Sequence, residues 1–151
     1  RLRKGSDITI VAISHMVIES LRAHKLLEKI GVSAEIIDPI WLSPLDIDSI
    51  IASVEKTGRL LVVDNAWLTC GASAEICLQV VERLQLIKKI HVERIGYENT
   101  PCPTTKPLEN MFYPNPSVIA SKVHNMIYPN KKPWTPLVTE SEEVENFRGP
   151  F

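Results

Sequence analysis

In the stretch DITIVAIS, Asp7 to Ser14, apolar residues fall on both faces of an extended chain, which predicts a strand covered by helices on both sides. From His15 to Ile30 the spacing changes to that of a helix. Met16, Ala23, Leu27 and Ile30 share one face, and Gly31 sits where such a helix stops. VSAEIID, Val32 to Asp38, is short, rich in branched residues and ends before Pro39, so it predicts a second strand. Ser43, Pro44 and Asp46 read as an N-cap, a first-turn proline and an acid facing the helix dipole. Ile47, Ile50, Ile51 and Val54 then form the apolar stripe of a second helix, which Gly58 ends. RLLVVD, Arg59 to Asp64, predicts a third strand, again apolar on both faces. After Gly71, the positions Ile76, Cys77, Val80, Val81 and Leu84 recur at helical intervals, with Glu75 in the first turn. KIHVERI, Lys89 to Ile95, alternates as a strand with one polar face does. A proline-dense loop follows, and a last helix opens at Asn115 and Pro116 with Ile119, Val123, Met126 and Ile127 on its buried side. Strands alternating with helices imply a three-layer α/β/α domain around a mostly parallel sheet.

From Tyr128 the character changes to proline and charge. The expected organisation is therefore one domain over residues 1–128 and an extended or disordered arm over 129–151. A formal charge of -1, mixed in sign along the chain, provides no basic stripe for nucleic acid. No apolar run approaches the roughly 20 residues needed to span a bilayer. The opening RLRKGSDITIVAIS also lacks a signal-peptide cleavage site, so the expected location is the cytoplasm, with no membrane partner. Cys70, Cys77 and Cys102 show no C-x-x-C spacing, and His15, His24, His91 and His124 form no pair on one helix face, so no metal site is expected. The chain begins at Arg1 without an initiator Met, which reads as a piece of a longer protein.

The stretch KTGRLLVVDNAWLTCGASAEI has the layout of strand, turn and helix that often holds a phosphate. Phosphate loops need several glycines, as in G-x-x-x-x-G-K-[ST] or G-x-G-x-x-G, and this turn has neither. Glu75 in the first helical turn would repel an anion. Trp67 and Gly71 thus belong to a turn that reverses the chain and can meet a partner surface. Asp64 ends a strand at the edge where open sheets place ligands, or it caps the turn with its own side chain. No nucleophile elbow, Ser/His/Asp set or carboxylate pair stands out.

Gly5, then SHMV, GVSAEIIDP, SPLD, SVEKTGRLLVV and GASAEI in one order, followed by ER, TPCP and LE, closely resemble a known family over Gly5 to Tyr128. The family is the C-terminal, transketolase-C-like domain of the β subunit in the thiamine-diphosphate-dependent first component of 2-oxo acid dehydrogenases. The resemblance implies a five-stranded mixed sheet with one antiparallel strand. It also implies thiamine diphosphate and Mg in the full enzyme. A preceding domain and the α subunit hold them in the family, so none is expected to bind this domain alone, and no catalytic residue is assigned to it. The implied partners are the dehydrogenase α subunit, a second β subunit and a lipoyl acyltransferase core, in an oligomer.

Interface residues are expected at Asp64, Trp67, Gly71, Glu75, Lys88, Lys89, Tyr97 and Phe112, with Met111 and Tyr113 beside the last two, because aromatic residues and Met favour interfaces. Three departures from the family pattern stand out. Asn65 and CGAS occupy the turn after the third strand, Lys88 and Lys89 stand where relatives often have an acid, and an arm extends beyond Tyr128. The lysines argue against docking a basic subunit-binding domain of the core at the usual place, unless the acidic run Glu140–Glu145 replaces that surface. Two alternatives stay open: a related ketol-transferring enzyme without an acyltransferase core, and a non-catalytic interaction module.

Overall fold

A computed structural model describes residues 1–136. Four strands, β1 (Ile8–Ala12), β2 (Ala34–Ile37), β3 (Arg59–Trp67) and β4 (His91–Tyr97), alternate with helices α1 (Met16–Glu28), α2 (Ile47–Thr57) and α3 (Ala72–Leu84). Two helices, α4 (Lys106–Phe112) and α5 (Pro116–Ile127), follow β4. The sheet order is β2-β1-β3-β4, and every neighbouring pair is parallel.

The continuous apolar runs have the physical basis read from the sequence. β1 is buried at all five positions, and its side chains serve two cores. On one face Ile8, Ile10 and Leu61 pack with Met16, Leu27, Ile119 and Val123 of α1 and α5. On the other face Val11, Leu60 and Val62 pack with Ile50, Val54, Ile76 and Val80 of α2 and α3. Each such side chain contributes roughly 1.5–3 kcal/mol by leaving water. Helices on both faces make the three layers.

The expected five-stranded mixed sheet differs in one detail. The described sheet has four strands, and its antiparallel component is an isolated bridge between Arg3 and Ile36. The reason is local. After Arg3 the chain must turn into β1, and Ser6 and Asp7 donate their N–H groups to the Ser33 carbonyl instead of extending the ladder. Gly5 makes that turn possible, since a Cβ there would lie 2.3 Å from the Ala34 carbonyl carbon and the Glu35 nitrogen.

Other boundaries moved. Asp46, not Ser43, is the N-cap of α2, with Oδ1 accepting from Ser49 N at 3.2 Å and Oδ2 from the Ser49 hydroxyl at 2.6 Å. Ile30 lies beyond the end of α1, where the chain unwinds into Gly31 at φ +74°, and is not part of its buried face. The proline-dense loop, expected from the sequence to be irregular, contains a helix, α4. It buries none of its residues, so no apolar stripe announced it. Residues 129–136, inside the expected arm, run back along α5. Trp134 packs near His124, their ring centroids 5.6 Å apart, and the Ser117 hydroxyl donates to the Pro136 carbonyl at 2.9 Å. The acidic run Glu140–Glu145 lies outside the described residues.

Candidate functional site

Successive connections leave the sheet in opposite directions at its centre. β1 leads through α1 to β2 on one side, whereas β3 leads through α3 to β4 on the other. Their carboxyl ends therefore diverge, and a crevice opens between them. A cavity of about 640 Å³ occupies this crevice, walled by His15, Glu19 and Arg22 from the start of α1, Asn65 from β3, Tyr97 from β4 and Asn115 before α5.

Asp64, the acid at the carboxyl end of β3, lies beside the glycine turn. Its carboxylate is buried and accepts hydrogen bonds from the backbone N–H groups of Asn65 and Ser73. Ser73 is in the first turn of α3, so the Asp64 carboxyl faces the amino end of that helix. Burial pushes that carboxyl above its ordinary value, and the two N–H bonds only partly offset it. Gly71 is the residue before α3, and a Cβ on it would stand 2.4 Å from the Trp67 carbonyl oxygen. The turn is tight for packing reasons.

The other expected residues are divided between two ends of the sheet. Tyr97 and Phe112 meet, with centroids 4.7 Å apart, and Tyr113 closes the cluster edge-on at 5.4 Å from Tyr97. Trp67 ends β3 and is 56% exposed. Glu75 is exposed on α3 and accepts from Gln79 at 2.7 Å. Lys88 and Lys89 lie at the opposite, amino end, in the loop before β4, and Lys88 Nζ donates to the Glu55 carbonyl at 2.6 Å. They are not near the cavity, so the eight residues do not form one surface.

Sequence reasoning missed the cavity's charged wall. Arg22 Nη1 lies 2.8 Å from Glu19 Oε1, while His15 Nε2 is 3.7 Å from the same oxygen, beyond a hydrogen bond. Glu19 is a buried acid on the apolar face of α1, three residues after Met16 and four before Ala23, and that spacing was its only visible signal. Asn65 stood out in the sequence as a departure in the turn, and the structure places it in the cavity wall. Among the described residues no group of three or more His, Cys, Asp or Glu side chains is placed to hold a metal ion. No helix among them is long and apolar enough to cross a membrane.

Residues 1–119 match the family model described as transketolase, C-terminal domain. The chain is 41% identical over 113 residues to the pyruvate dehydrogenase E1 component subunit beta of Staphylococcus epidermidis, covering 75% of this chain and 34% of that protein. It is 42% identical over 113 residues to the Bacillus subtilis protein of the same name, with the same coverage. It is 39% identical over 120 residues to the acetoin:2,6-dichlorophenolindophenol oxidoreductase subunit beta of Cupriavidus necator, covering 80% of this chain and 36% of that one. The chain thus spans about a third of the length of the curated relatives it matches. Among solved structures, a split gene transketolase in an inactive β4 tetramer superimposes with a TM-score of 0.73 at 24% identity, over 86% of this chain and 42% of that one, which shows the fold.

Proposed function

Because this chain belongs to the transketolase C-terminal domain family, we propose that it is the C-terminal assembly domain of the β subunit of a 2-oxo acid dehydrogenase. That enzyme decarboxylates pyruvate or a related 2-oxo acid with thiamine diphosphate and Mg and passes the acyl group to lipoamide. The observation that carries the proposal is the identity of about 40% to pyruvate dehydrogenase E1 β subunits over three quarters of the chain. The partners are an α subunit and a second β subunit. Ile40, Trp41 and Trp67, which are 77%, 69% and 56% exposed at the ends of β2 and β3, support a seat for a subunit there. The three free cysteines suit a cytoplasmic location.

In this reading the domain positions subunits and does not hold the cofactor. In the turn from β3 to α3 the backbone N–H groups of Asn65 and Ser73 already face the Asp64 carboxyl. Its buried acids are also engaged, Glu35 by Lys56 and Ser53 and Glu19 by Arg22. A second reading is a β subunit of a related enzyme working without an acyltransferase core. The exposed pair Lys88 and Lys89 supports it, since like charges would repel a basic docking domain.

The test is a dye-reduction assay with the full-length β chain co-expressed with its α subunit. Activity dependent on a 2-oxo acid, thiamine diphosphate and Mg is expected, whereas the 151-residue chain alone should show no saturable cofactor binding by calorimetry. Micromolar binding by the chain alone would overturn the assembly reading. Tight docking of a basic subunit-binding domain to the heteromer, unchanged when residues 130–151 are removed, would exclude the second reading.

A further inference from the structure

Residues 129–136 are fastened to the domain by few groups. Trp134 is half-buried and packs against the core cluster of α1 and α5, and Pro136 is buried, whereas Lys131, Lys132, Pro133 and Thr135 are exposed. Pro129, Pro133 and Pro136 have no N–H to donate. Among the described residues the backbone of the segment is bonded near its two ends, where Lys131 N donates to the Tyr128 carbonyl at 3.0 Å and the Pro136 carbonyl accepts from the Ser117 hydroxyl at 2.9 Å. The Lys131 ammonium also rests 3.8 Å from the centroid of the Tyr128 ring.

The surface beneath the segment is imperfectly matched to it. Ser117, Ser121, His124 and Tyr128 follow one another at intervals of four, three and four residues, so they share one face of α5 and its C-cap. The segment touches that face at Ser117, His124 and Tyr128, and Ser121 lies on the same line. Yet the Ser121 hydroxyl and His124 Nδ1 are both buried with no hydrogen-bond partner among the described residues. Closing the segment over unpaired polar atoms opposes closure, whereas water satisfies both atoms once the segment lifts. A cover that stays shut pairs such atoms. One aromatic anchor and a bond near each end, set over unpaired polar groups, place the segment at the low-stability end of the fold. We propose that residues 129–136 are a strap that opens and closes over α5 while the rest of the domain stays folded. Opening bares Ser121 and His124, so the strap controls access to that face of the helix. The strap lies beyond residues 1–119, which match the family model, so the proposal does not rest on the dehydrogenase reading.

The experiment is 19F NMR with relaxation dispersion on the 151-residue chain labelled with 5-fluorotryptophan. Trp134→Phe assigns the signal of Trp134 apart from those of Trp41 and Trp67. Exchange between a docked and an undocked Trp134 is expected, with a population that depends little on urea below the unfolding transition. Two substitutions on the same face of α5 should act in opposite directions. Ser117→Ala, which deletes the bond to Pro136, should raise the undocked population roughly two- to tenfold, as loss of one hydrogen bond does. Ser121→Ala, which deletes an unpaired hydroxyl, should lower it about fivefold. Both place alanine in the same helix, so a gain in helix propensity cannot account for opposite signs. Thermal melts establish that each variant is folded. A single docked signal without exchange in wild type and Ser117→Ala, a shift of the same sign in both variants, or an undocked population that follows urea as global unfolding does would overturn the proposal.

Discussion

Single residues carry opposite electrostatic burdens in the two halves of the sheet. Glu35 is fully buried on β2, and burial alone would raise its pKa. The Lys56 ammonium, the Ser53 hydroxyl at 2.5 Å, Gly5 N–H at 3.2 Å and the Arg1 guanidinium reverse this and hold it below the ordinary 4.5. A depressed carboxylate contributes stability that is present above its unfolded value and is lost as pH falls through the folded one. Asp64 is raised by burial above 3.8, so its contribution is full below that value and declines as pH rises through the folded one. Urea unfolding from pH 3 to 7 should therefore show Glu35→Gln flattening the acid limb, while Asp64→Asn removes a decline on the rising side. Identical pH profiles for wild type and both variants would contradict these assignments. Gly71→Ala places a methyl against the Trp67 carbonyl, and a loss of about 1–3 kcal/mol is expected in the same measurement. The two sequence readings of Asp64, ligand-facing or capping, could not be separated without knowing which N–H groups the turn leaves free.

Among the elements, α2 gives the sharpest test of where a boundary lies. Asp46→Ala removes both bonds to Ser49 and should cost about 0.5–2 kcal/mol, whereas Ser43→Ala, outside the helix, should cost almost nothing. Thermal or urea melts of the two variants distinguish the placements. α1, α2, α3, α5 and all four strands were legible in the sequence because each buries an apolar stripe or run. α4 was not, since it buries nothing and its residues carry no period. The cavity was illegible for a related reason. Its wall is assembled from α1, β3, β4 and the segment before α5, and polar residues far apart in the chain leave no local pattern.

At the scale of the whole molecule, the exposed side chains after β2 set an expectation about assembly. Trp41 and Ile40 are held outward by a tight turn in which Asp38 Oδ1 accepts from Ile40 N at 2.9 Å. Their replacement by Ser should leave the melting temperature of the chain unchanged and weaken its association by tenfold or more. Sedimentation velocity over a concentration series measures that directly, and unchanged association would remove the β2 end from the interface. The short antiparallel bridge at Arg3 has a further consequence for assembly. It occupies the outer border of β2, where Ile36 exchanges backbone bonds with Arg3, while among the described residues the outer border of β4 carries no strand. A sheet with two free borders can add neighbours indefinitely, as a fibre does; a sheet with one free border can add a single neighbour and then stops. The bridge at Arg3 thus leaves the described sheet one open border.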